Sequence, residues 1–320
     1  MFDVSSVNYT VSLDKIIEKF HLRNLTPDID VSGIMIETVD VNRPALQFAG
    51  YFDEFDPKRI QLCGKVEYNF LELHEDDFIH EMTTRLFKEK IPCIIFCRGL
   101  VPNDLFMELS RKYCVPLLMS QDGTSSFMGQ LIRYLKMELA PRISIHGVLV
   151  DVFGEGILIM GESGIGKSEA ALELIKRGHR LVSDDVVEIK KINEDELLGS
   201  APEITRHFIE LRGIGIIDVR TLYGVQSVED THEIDLVIKL EEWKRDHEYD
   251  RLGLEDSYEE ILGIRKVCNS LPIRPGRNLA IIVEAAAINY RQKKMGYNAV
   301  DELYRRVTER NKKDRLQKKS

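Results

Sequence analysis

The stretch GILIMGESGIGKSEAALELIKRGHRLVSDD constrains the fold of this chain more than any other part of the sequence. It begins with an apolar run, Ile157 to Met160, that predicts a β-strand. Next comes GESGIGKS, which fits the pattern G-x-x-x-x-G-K-[ST] and is followed by the helical sequence EAALELIK. A strand, a glycine-rich loop and a helix in this order predict a phosphate-binding loop within an α/β domain.

The chemistry of such a loop follows from its residue types. Glycines allow consecutive backbone N–H groups to turn toward phosphates, and the helix that follows presents its positive end to the same anion. We expect Lys167 to reach the terminal phosphates of a nucleotide and Ser168 to supply an oxygen to Mg²⁺. The predicted nucleotide-binding residues are Gly161, Glu162, Ser163, Gly164, Ile165, Gly166, Lys167 and Ser168.

Two adjacent acids, Asp184 and Asp185, end the apolar run RLVS that follows the loop's helix. Aspartates are common in turns, so a structural role is one interpretation. A strand next to a phosphate loop would also bring its end to the phosphates, where a carboxylate holds metal or accepts a proton from an attacking hydroxyl. We favour the functional interpretation.

Three later segments carry charged residues in unusual settings. The run Ile209 to Gly224, IELRGIGIIDVRTLYG, surrounds a Glu and an Arg with apolar residues, and such charges need partners that bound Mg²⁺ and phosphates would supply. The alternative is an ordinary strand with a bulge at Gly213. Taken alone, Asp250 to Gly253 and Pro272 to Arg277 are equally consistent with solvated loops and with anion sites.

A hairpin is predicted in HGVLVDVFGEGILIMG, because two strand-like runs flank the turn sequence FGEG. A turn centred there places Val152 near Ile157. Continuing the same register brings His146 to the neighbourhood of Ser163, beside the glycine-rich loop.

Length and composition bound the remaining possibilities. The 320 residues suffice for about two domains of typical size, with 43% hydrophobic and 30% charged residues. A net charge of −9 disfavours general nucleic-acid binding, although residues 291–320 carry 11 basic and 4 acidic side chains. No segment has the roughly 20 apolar residues of a membrane span. The N-terminal sequence lacks the uninterrupted apolar core of a signal peptide, and we expect a cytoplasmic protein.

Residues 60–140 alternate strand and helix patterns, which is typical of a mostly parallel sheet. The following helix, SSFMGQLIRYLKMELAP, connects this domain to the next. We predict an N-terminal α/β domain over residues 1–134 and a phosphate-loop domain over residues 135–320. Cys93 and Cys97 lie in the apolar IPCIIFC and are interpreted as core residues rather than metal ligands.

Several classes of protein share the phosphate loop, namely ATPases, GTPases, kinases and nucleotide-gated switches. An N-K-x-D sequence typical of guanine nucleotide proteins is present as Asn311 to Asp314. It lies in the polar tail with no strand before it, so we interpret it as a chance match.

The motifs taken together resemble the bacterial HPr kinase/phosphorylase family. The resemblance covers most of the chain and rests on NRPALQFAGYFDEF, RIQLCG, HGVLV, GESGIGKSE, LVSDDVVEI, IELRGIGIIDV, DRLG and LPIRPGRNLA, in that order. It implies an enzyme that uses ATP and Mg²⁺ to phosphorylate a serine of the phosphocarrier protein HPr, and that removes the phosphate with inorganic phosphate, releasing pyrophosphate. It also implies a Mur-ligase-like α/β first domain, a second domain like phosphoenolpyruvate carboxykinase, and a homohexamer with the C-terminal helices near HPr and the neighbouring subunit.

The resemblance also implies residue roles. The loop and Lys167 would bind ATP, and Ser168 and Glu210 would hold Mg²⁺. Asp185 would accept the serine proton and return it in the reverse reaction, with His146 beside it, and Arg251 would stabilise charge on the transferred group. The run Ile209 to Asp218 would serve both directions. Dephosphorylation would use Pro272, Ile273, Arg274, Pro275, Gly276 and Arg277.

Two alternatives remain at this stage. A small-molecule kinase or carboxykinase-like phosphotransferase has the same strand, loop and acid pattern. A regulatory module that binds ATP without transferring phosphate is also compatible with the loop, although Asp185, Glu210 and His146 exceed what gating requires.

Overall fold

The structure is a computed structural model that describes residues 9–73, 77–243, 257–274 and 276–317, with side chains described as far as residue 311. The chain divides into two compact units, residues 1–141 and residues 142–320. Both units are mixed α/β, as predicted.

The first unit is built on a five-stranded sheet in the order β2-β7-β6-β5-β4, parallel except for the antiparallel edge strand β2. Its strands are β1 (Val11–Ser12), β2 (Arg23–Asn24), β3 (Met35–Ile36), β4 (Val41–Asn42), β5 (Ile60–Cys63), β6 (Ile94–Phe96) and β7 (Leu117–Met119). Its helices are α1 (Leu13–Lys19), α2 (Ala45–Phe48), α3 (Lys65–Leu73), α4 (Asp77–Lys88), α5 (Asp104–Tyr113) and α6 (Thr124–Glu138). The predicted alternation of strands and helices over residues 60–140 is confirmed.

Apolar side chains cover both faces of this sheet, as expected for parallel strands flanked by helices. On one face, Cys93 and Cys97 belong to a core with Phe127 of α6. On the other face, Cys63 packs in a core with Phe106 of α5. The cysteines are therefore core residues, and burial raises the pKa of Cys97 to about 11.

Helix α6 belongs to the first unit, because Phe127, Leu131 and Leu135 are fully buried in its core. The predicted boundary between residues 134 and 135 falls inside this helix. The two units divide at its end, after Pro141.

The second unit contains a six-stranded sheet in the order β11-β9-β10-β17-β19-β18 and a four-stranded sheet in the order β16-β13-β12-β8. Its strands are β8 (Arg142–His146), β9 (Val148–Val152), β10 (Glu155–Gly161), β11 (Arg180–Ser183), β12 (Val186–Lys191), β13 (Leu197–Ser200), β14 (Phe208–Leu211), β15 (Gly215–Asp218), β16 (Thr231–Glu233), β17 (Leu236–Glu242), β18 (Ser257–Ile261) and β19 (Ile264–Ile273). Its helices are α7 (Lys167–Lys176), α8 (Val219–Tyr223), α9 (Leu279–Lys294) and α10 (Ala299–Gln317).

The centre of the six-stranded sheet positions the glycine-rich loop. Strands β10, β17 and β19 run parallel, and the loop leaves the carboxyl end of β10. Leu174 of α7 and Val283 of α9 are fully buried in one core with Ile157 and Ile159 of β10. Ligands of α/β proteins bind at the carboxyl ends of parallel strands, so this edge is where a site is expected.

The predicted hairpin is present, but its register is not the predicted one. Strands β9 and β10 pair with Val152 opposite Glu155, whereas we expected Val152 near Ile157. The turn is the two-residue segment Phe153–Gly154, in which both φ angles are positive (59° and 87°), as a tight hairpin requires. The carboxylate of Asp151 fixes this turn by accepting a hydrogen bond from the Gly154 N–H at 2.6 Å.

Among the described residues, no helix has the length and apolar character needed to cross a bilayer.

Candidate active site at the phosphate loop

The glycine-rich loop turns from β10 into α7 through three glycines with positive φ. The φ angles of Gly161, Gly164 and Gly166 are 152°, 84° and 103°, values that residues with a Cβ atom rarely adopt. Lys167 is buried at the start of α7, and its Nζ donates to the carbonyl oxygens of Gly161 at 2.8 Å and Glu162 at 3.0 Å. Burial lowers the pKa of Lys167, and its ammonium lies inside the cradle formed by the loop.

Asp184 lies directly after β11 and connects the loop to other parts of the site. Its Oδ1 accepts a hydrogen bond from the Ser168 hydroxyl at 2.8 Å, and its Oδ2 accepts one from the backbone N–H of Glu210 at 3.1 Å. The residue is 4% exposed. Burial raises the pKa of Asp184, and the hydrogen bonds from Ser168 and Glu210 oppose that shift.

Asp185 has a different environment although it is the next residue. It adopts φ 66°, a left-handed conformation that is uncommon for a residue other than glycine, and its side chain is 62% exposed. Its Oδ1 lies 3.0 Å from Nδ1 of His146. The Asp185 carboxylate is thus held at one oxygen and remains open to the cleft.

His146 reaches this position through the four-stranded sheet rather than through the predicted hairpin register. It is the last residue of β8, which pairs with β12 in the four-stranded sheet, so that His146 lies opposite Val186. The chain then passes through Gly147, whose N–H donates to the carbonyl of Asp185 at 2.9 Å, and enters β9 in the other sheet. The predicted neighbourhood is confirmed, but the register argument that led to it is wrong.

The hairpin of β14 and β15 closes the cleft from another side. Its inner face is anchored by Ile209 and Leu211, which are buried in the same core as α7. Its outer residues include Glu210, and the guanidinium of Arg212 donates to the hydroxyl of Ser163 at 3.1 Å. The cleft is lined by His146, Ser163, Gly164, Gly166, Lys167, Ser168, Glu169, Asp184, Asp185, Glu210 and Arg212.

This arrangement fits a magnesium ion. Mg²⁺ prefers oxygen ligands and is usually held by one or two carboxylates together with substrate phosphates. Ser168, Asp184 and Glu210 supply a hydroxyl and two carboxylates in one cleft, and among the described residues no basic side chain donates a hydrogen bond to the buried Asp184 carboxylate. A cation would offset the cost of burying that carboxylate.

Comparisons with known proteins agree with the phosphate-binding features of this cleft. Residues 11–135 match the family model for the HPr Serine kinase N terminus, and residues 137–307 match that for the HPr Serine kinase C-terminal domain. An HPr kinase/phosphorylase of Lachnoclostridium phytofermentans is 65% identical over 94% of this chain and 97% of its own length. The chain belongs to the HPr kinase/phosphorylase family.

Other members of the HPr kinase/phosphorylase family are also similar. The protein of Thermoanaerobacter sp. is 53% identical over 92% of this chain and 98% of its own length. A solved structure of the Hpr(Ser) kinase/phosphatase from Coxiella burnetii is 39% identical, covers 50% of this chain and 98% of that one, and has a TM-score of 0.45. The predicted family membership is confirmed, and with it the prediction that this protein is an enzyme.

Two sequence predictions for this HPr kinase/phosphorylase family member fall partly or wholly outside the described residues. Arg251 and the surrounding Asp250 to Gly253 motif lie outside them, and so does Pro275. In the rest of the predicted dephosphorylation loop, Pro272 and Ile273 end β19 and Arg274, Gly276 and Arg277 follow it, at the edge of the sheet where the phosphate loop lies. There Arg274 stacks over the ring of Trp243 at 3.7 Å, and Nη1 of Arg277 donates to the carbonyl of Pro272 at 2.9 Å.

The structure adds two residues to the site predicted for this family member. The sequence places Asp184 beside Asp185 directly after β11, and only the resemblance favours Asp185. Arg212 belongs to the run Ile209 to Asp218, which the resemblance assigns to both directions of the reaction without giving this arginine a role of its own. Its proximity to Ser163 depends on a fold-back of the hairpin that a single sequence does not reveal.

Proposed function

We propose that this protein uses ATP to phosphorylate a serine of the phosphocarrier protein HPr and removes that phosphate by phosphorolysis. One observation carries the proposal: a phosphate loop, a buried aspartate and an exposed histidine-linked aspartate share one cleft in a member of this family. A nucleotide-gated module would need the first of these features but not the exposed base.

In the kinase direction, the loop N–H groups and Lys167 bind and orient the terminal phosphates. The serine oxygen attacks the γ-phosphorus, the bond to the bridging β,γ-oxygen breaks, and ADP leaves. Asp185 accepts the serine proton, since its carboxylate is open to the cleft and held at one oxygen by His146. Ser168, Asp184 and Glu210 would hold Mg²⁺, which supplies positive charge to the phosphate oxygens when bound.

In the reverse direction, an oxygen of inorganic phosphate attacks the phosphoserine phosphorus and pyrophosphate forms. The bond between the serine oxygen and that phosphorus breaks, and the leaving serine oxygen takes a proton from Asp185, which recovers one from the attacking phosphate. A cradle that binds β- and γ-phosphates has the shape and charge to hold the attacking and transferred groups. We assign Pro272 to Arg277 to this direction and Arg251 to charge stabilisation on the transferred group.

The finer structural predictions belong to the same proposal. We propose that the first unit is Mur-ligase-like, that the second is related to phosphoenolpyruvate carboxykinase, and that the enzyme is a cytoplasmic homohexamer that regulates carbon metabolism and sugar uptake. The family membership supports these assignments.

Incubation with γ-labelled Mg·ATP and HPr tests the acceptor directly. Label is expected on one serine of HPr, and an HPr variant with that serine replaced by alanine should take up none. Consumption of ATP with a metabolite but not with HPr would support a small-molecule kinase instead. ATP binding without turnover on any acceptor would support the regulatory module.

A further inference from the structure

We propose that Arg212 is a catalytic residue whose guanidinium binds the terminal phosphate of the nucleotide and stabilises negative charge on the transferred phosphoryl group. The identity of the acceptor rests on the proposed function, whereas nucleotide recognition by Arg212 does not.

The position of Arg212 is set by a short and well-anchored hairpin. Leu211, directly before it, is 6% exposed in the core shared with α7. Leu211 pairs with Gly215, and the N–H of Ile214 donates to the Leu211 carbonyl at 3.0 Å, which closes a tight turn over Arg212 to Ile214. Arg212 therefore leaves the hairpin from a fixed base, adjacent to the helix that begins at the phosphate loop.

The guanidinium packs directly on the phosphate loop. A Cβ at position 164 would overlap it, so the absence of a side chain at Gly164 is what permits this approach, in addition to the left-handed φ of 84°. Position 164 is one of the variable positions in the general loop pattern. In this chain the position is a glycine, Gly164, which leaves room for Arg212 to lie against the loop.

The partners of Arg212 leave most of its binding capacity unused. A guanidinium offers five N–H donors, and among the described residues it makes one hydrogen bond, to the neutral hydroxyl of Ser163, and no ion pair with a carboxylate. It also lies near a second cation. The pKa of Lys167 is lowered mainly by burial and further by the positive charge of Arg212, while Asp184 and Asp185 oppose that shift.

Two cations converging on a loop of backbone N–H groups form a site for an anion with several oxygens. Arginine binds phosphate through a planar fork of two parallel N–H groups, which lysine does not offer. In phosphoryl transfer, an arginine that contacts the transferred group acts on charge developed in the transition state. Lys167 and Arg212 approach the same cleft from α7 and from the hairpin, so they would contact different oxygens of the terminal phosphate.

The test compares Arg212→Gln and Arg212→Lys with Arg206→Gln, an exposed arginine just before the hairpin that does not line the cleft. Arg212→Gln should lower the rate of transfer to HPr by about 100-fold or more. It should weaken a non-hydrolysable ATP analogue by about tenfold while ADP affinity changes less than about twofold, because only the analogue carries the terminal phosphate. Arg206→Gln should match the parent in all three measurements.

Arg212→Lys tests whether the geometry of the contact matters, because lysine retains the positive charge but lacks the two parallel N–H donors of the guanidinium. It should restore most of the analogue affinity but less than about one-tenth of the parent rate. Equal weakening of the analogue and of ADP, or a transfer rate near that of the parent, would overturn the proposal. If the parent protein does not phosphorylate HPr, the proposed function fails, and the difference between analogue and ADP affinity still decides the role of Arg212.

Discussion

The two α/β units place polar side chains at the same kind of location, just after the carboxyl end of a strand in the main sheet, but treat them differently. In the first unit, Glu67 accepts hydrogen bonds from the Gly64 N–H and from Arg43, each at 2.9 Å, and its side chain is 2% exposed. In the second unit, the Asp185 side chain is 62% exposed and has His146 at one oxygen.

This difference distinguishes a carboxylate with a structural role, Glu67, from one that is available for catalysis, Asp185. The buried carboxylate of Glu67 is paired with a cation and a backbone donor, so its charge is compensated within the protein. Around the phosphate loop, the cations Lys167 and Arg212 contact neutral oxygens and the exposed carboxylate faces the cleft. These side chains keep charge and hydrogen-bonding capacity that is available to a substrate in the cleft.

Among substitutions that leave the phosphate loop intact, the largest effect should come from Asp185→Asn. The substitution keeps size and hydrogen-bonding capacity but removes the base, so serine phosphorylation should fall by about 1,000-fold. Nucleotide affinity should change less than about twofold, because Asp185 is assigned to the acceptor side. Initial rates with HPr and equilibrium binding of ADP measure both. Asp195→Asn, at an exposed site outside the cleft, should behave as the parent; a similar rate for the two variants would remove Asp185 from the mechanism.

The next largest effect is expected from Arg43→Met, and it should fall on stability rather than on activity. It leaves the buried Glu67 carboxylate without its cation and should lower the free energy of unfolding by about 1–3 kcal/mol, while each folded molecule transfers phosphate at the parent rate. Denaturant unfolding followed by activity measurements tests this. Arg111→Met removes an exposed pair with Asp28 and should cost less than about 0.5 kcal/mol. A loss of specific activity in Arg43→Met would show that the first unit takes part in the chemistry.

A smaller change is expected from His146→Asn. His146 holds one oxygen of Asp185 at 3.0 Å in an exposed setting, so its loss should reduce transfer by about tenfold rather than abolish it. Rates measured at saturating ATP and HPr isolate this effect from binding. A loss as large as that of Asp185→Asn would instead make His146 the proton acceptor.

The sequence was sufficient for the parts of the site that depend on local order along the chain. The phosphate loop, the strand before it and the helix after it follow from residues 156–176 alone, because the glycines, lysine and apolar pattern are contiguous. The alternation of strands and helices in the first unit was predictable for the same reason.

Contacts between distant segments were harder to predict. The β9–β10 turn uses Phe153 and Gly154, and an aromatic residue at positive φ gives little signal in the sequence. The move of the chain from one sheet to the other at Gly147 separates His146 from the hairpin register on which its prediction rested. Arg212 reaches Ser163 only because the hairpin folds back over α7. None of these pairings has a local pattern.

The most direct test of a single site for both reactions uses Lys167→Met and measures HPr phosphorylation and phosphate-dependent pyrophosphate release on one preparation. The substitution retains the buried aliphatic chain and removes the ammonium from the loop. Both rates should fall together, by about 1,000-fold, because in the proposed mechanism both reactions place two phosphoryl groups in the same cradle. Pyrophosphate release at the parent rate, with phosphorylation lost, would contradict the account.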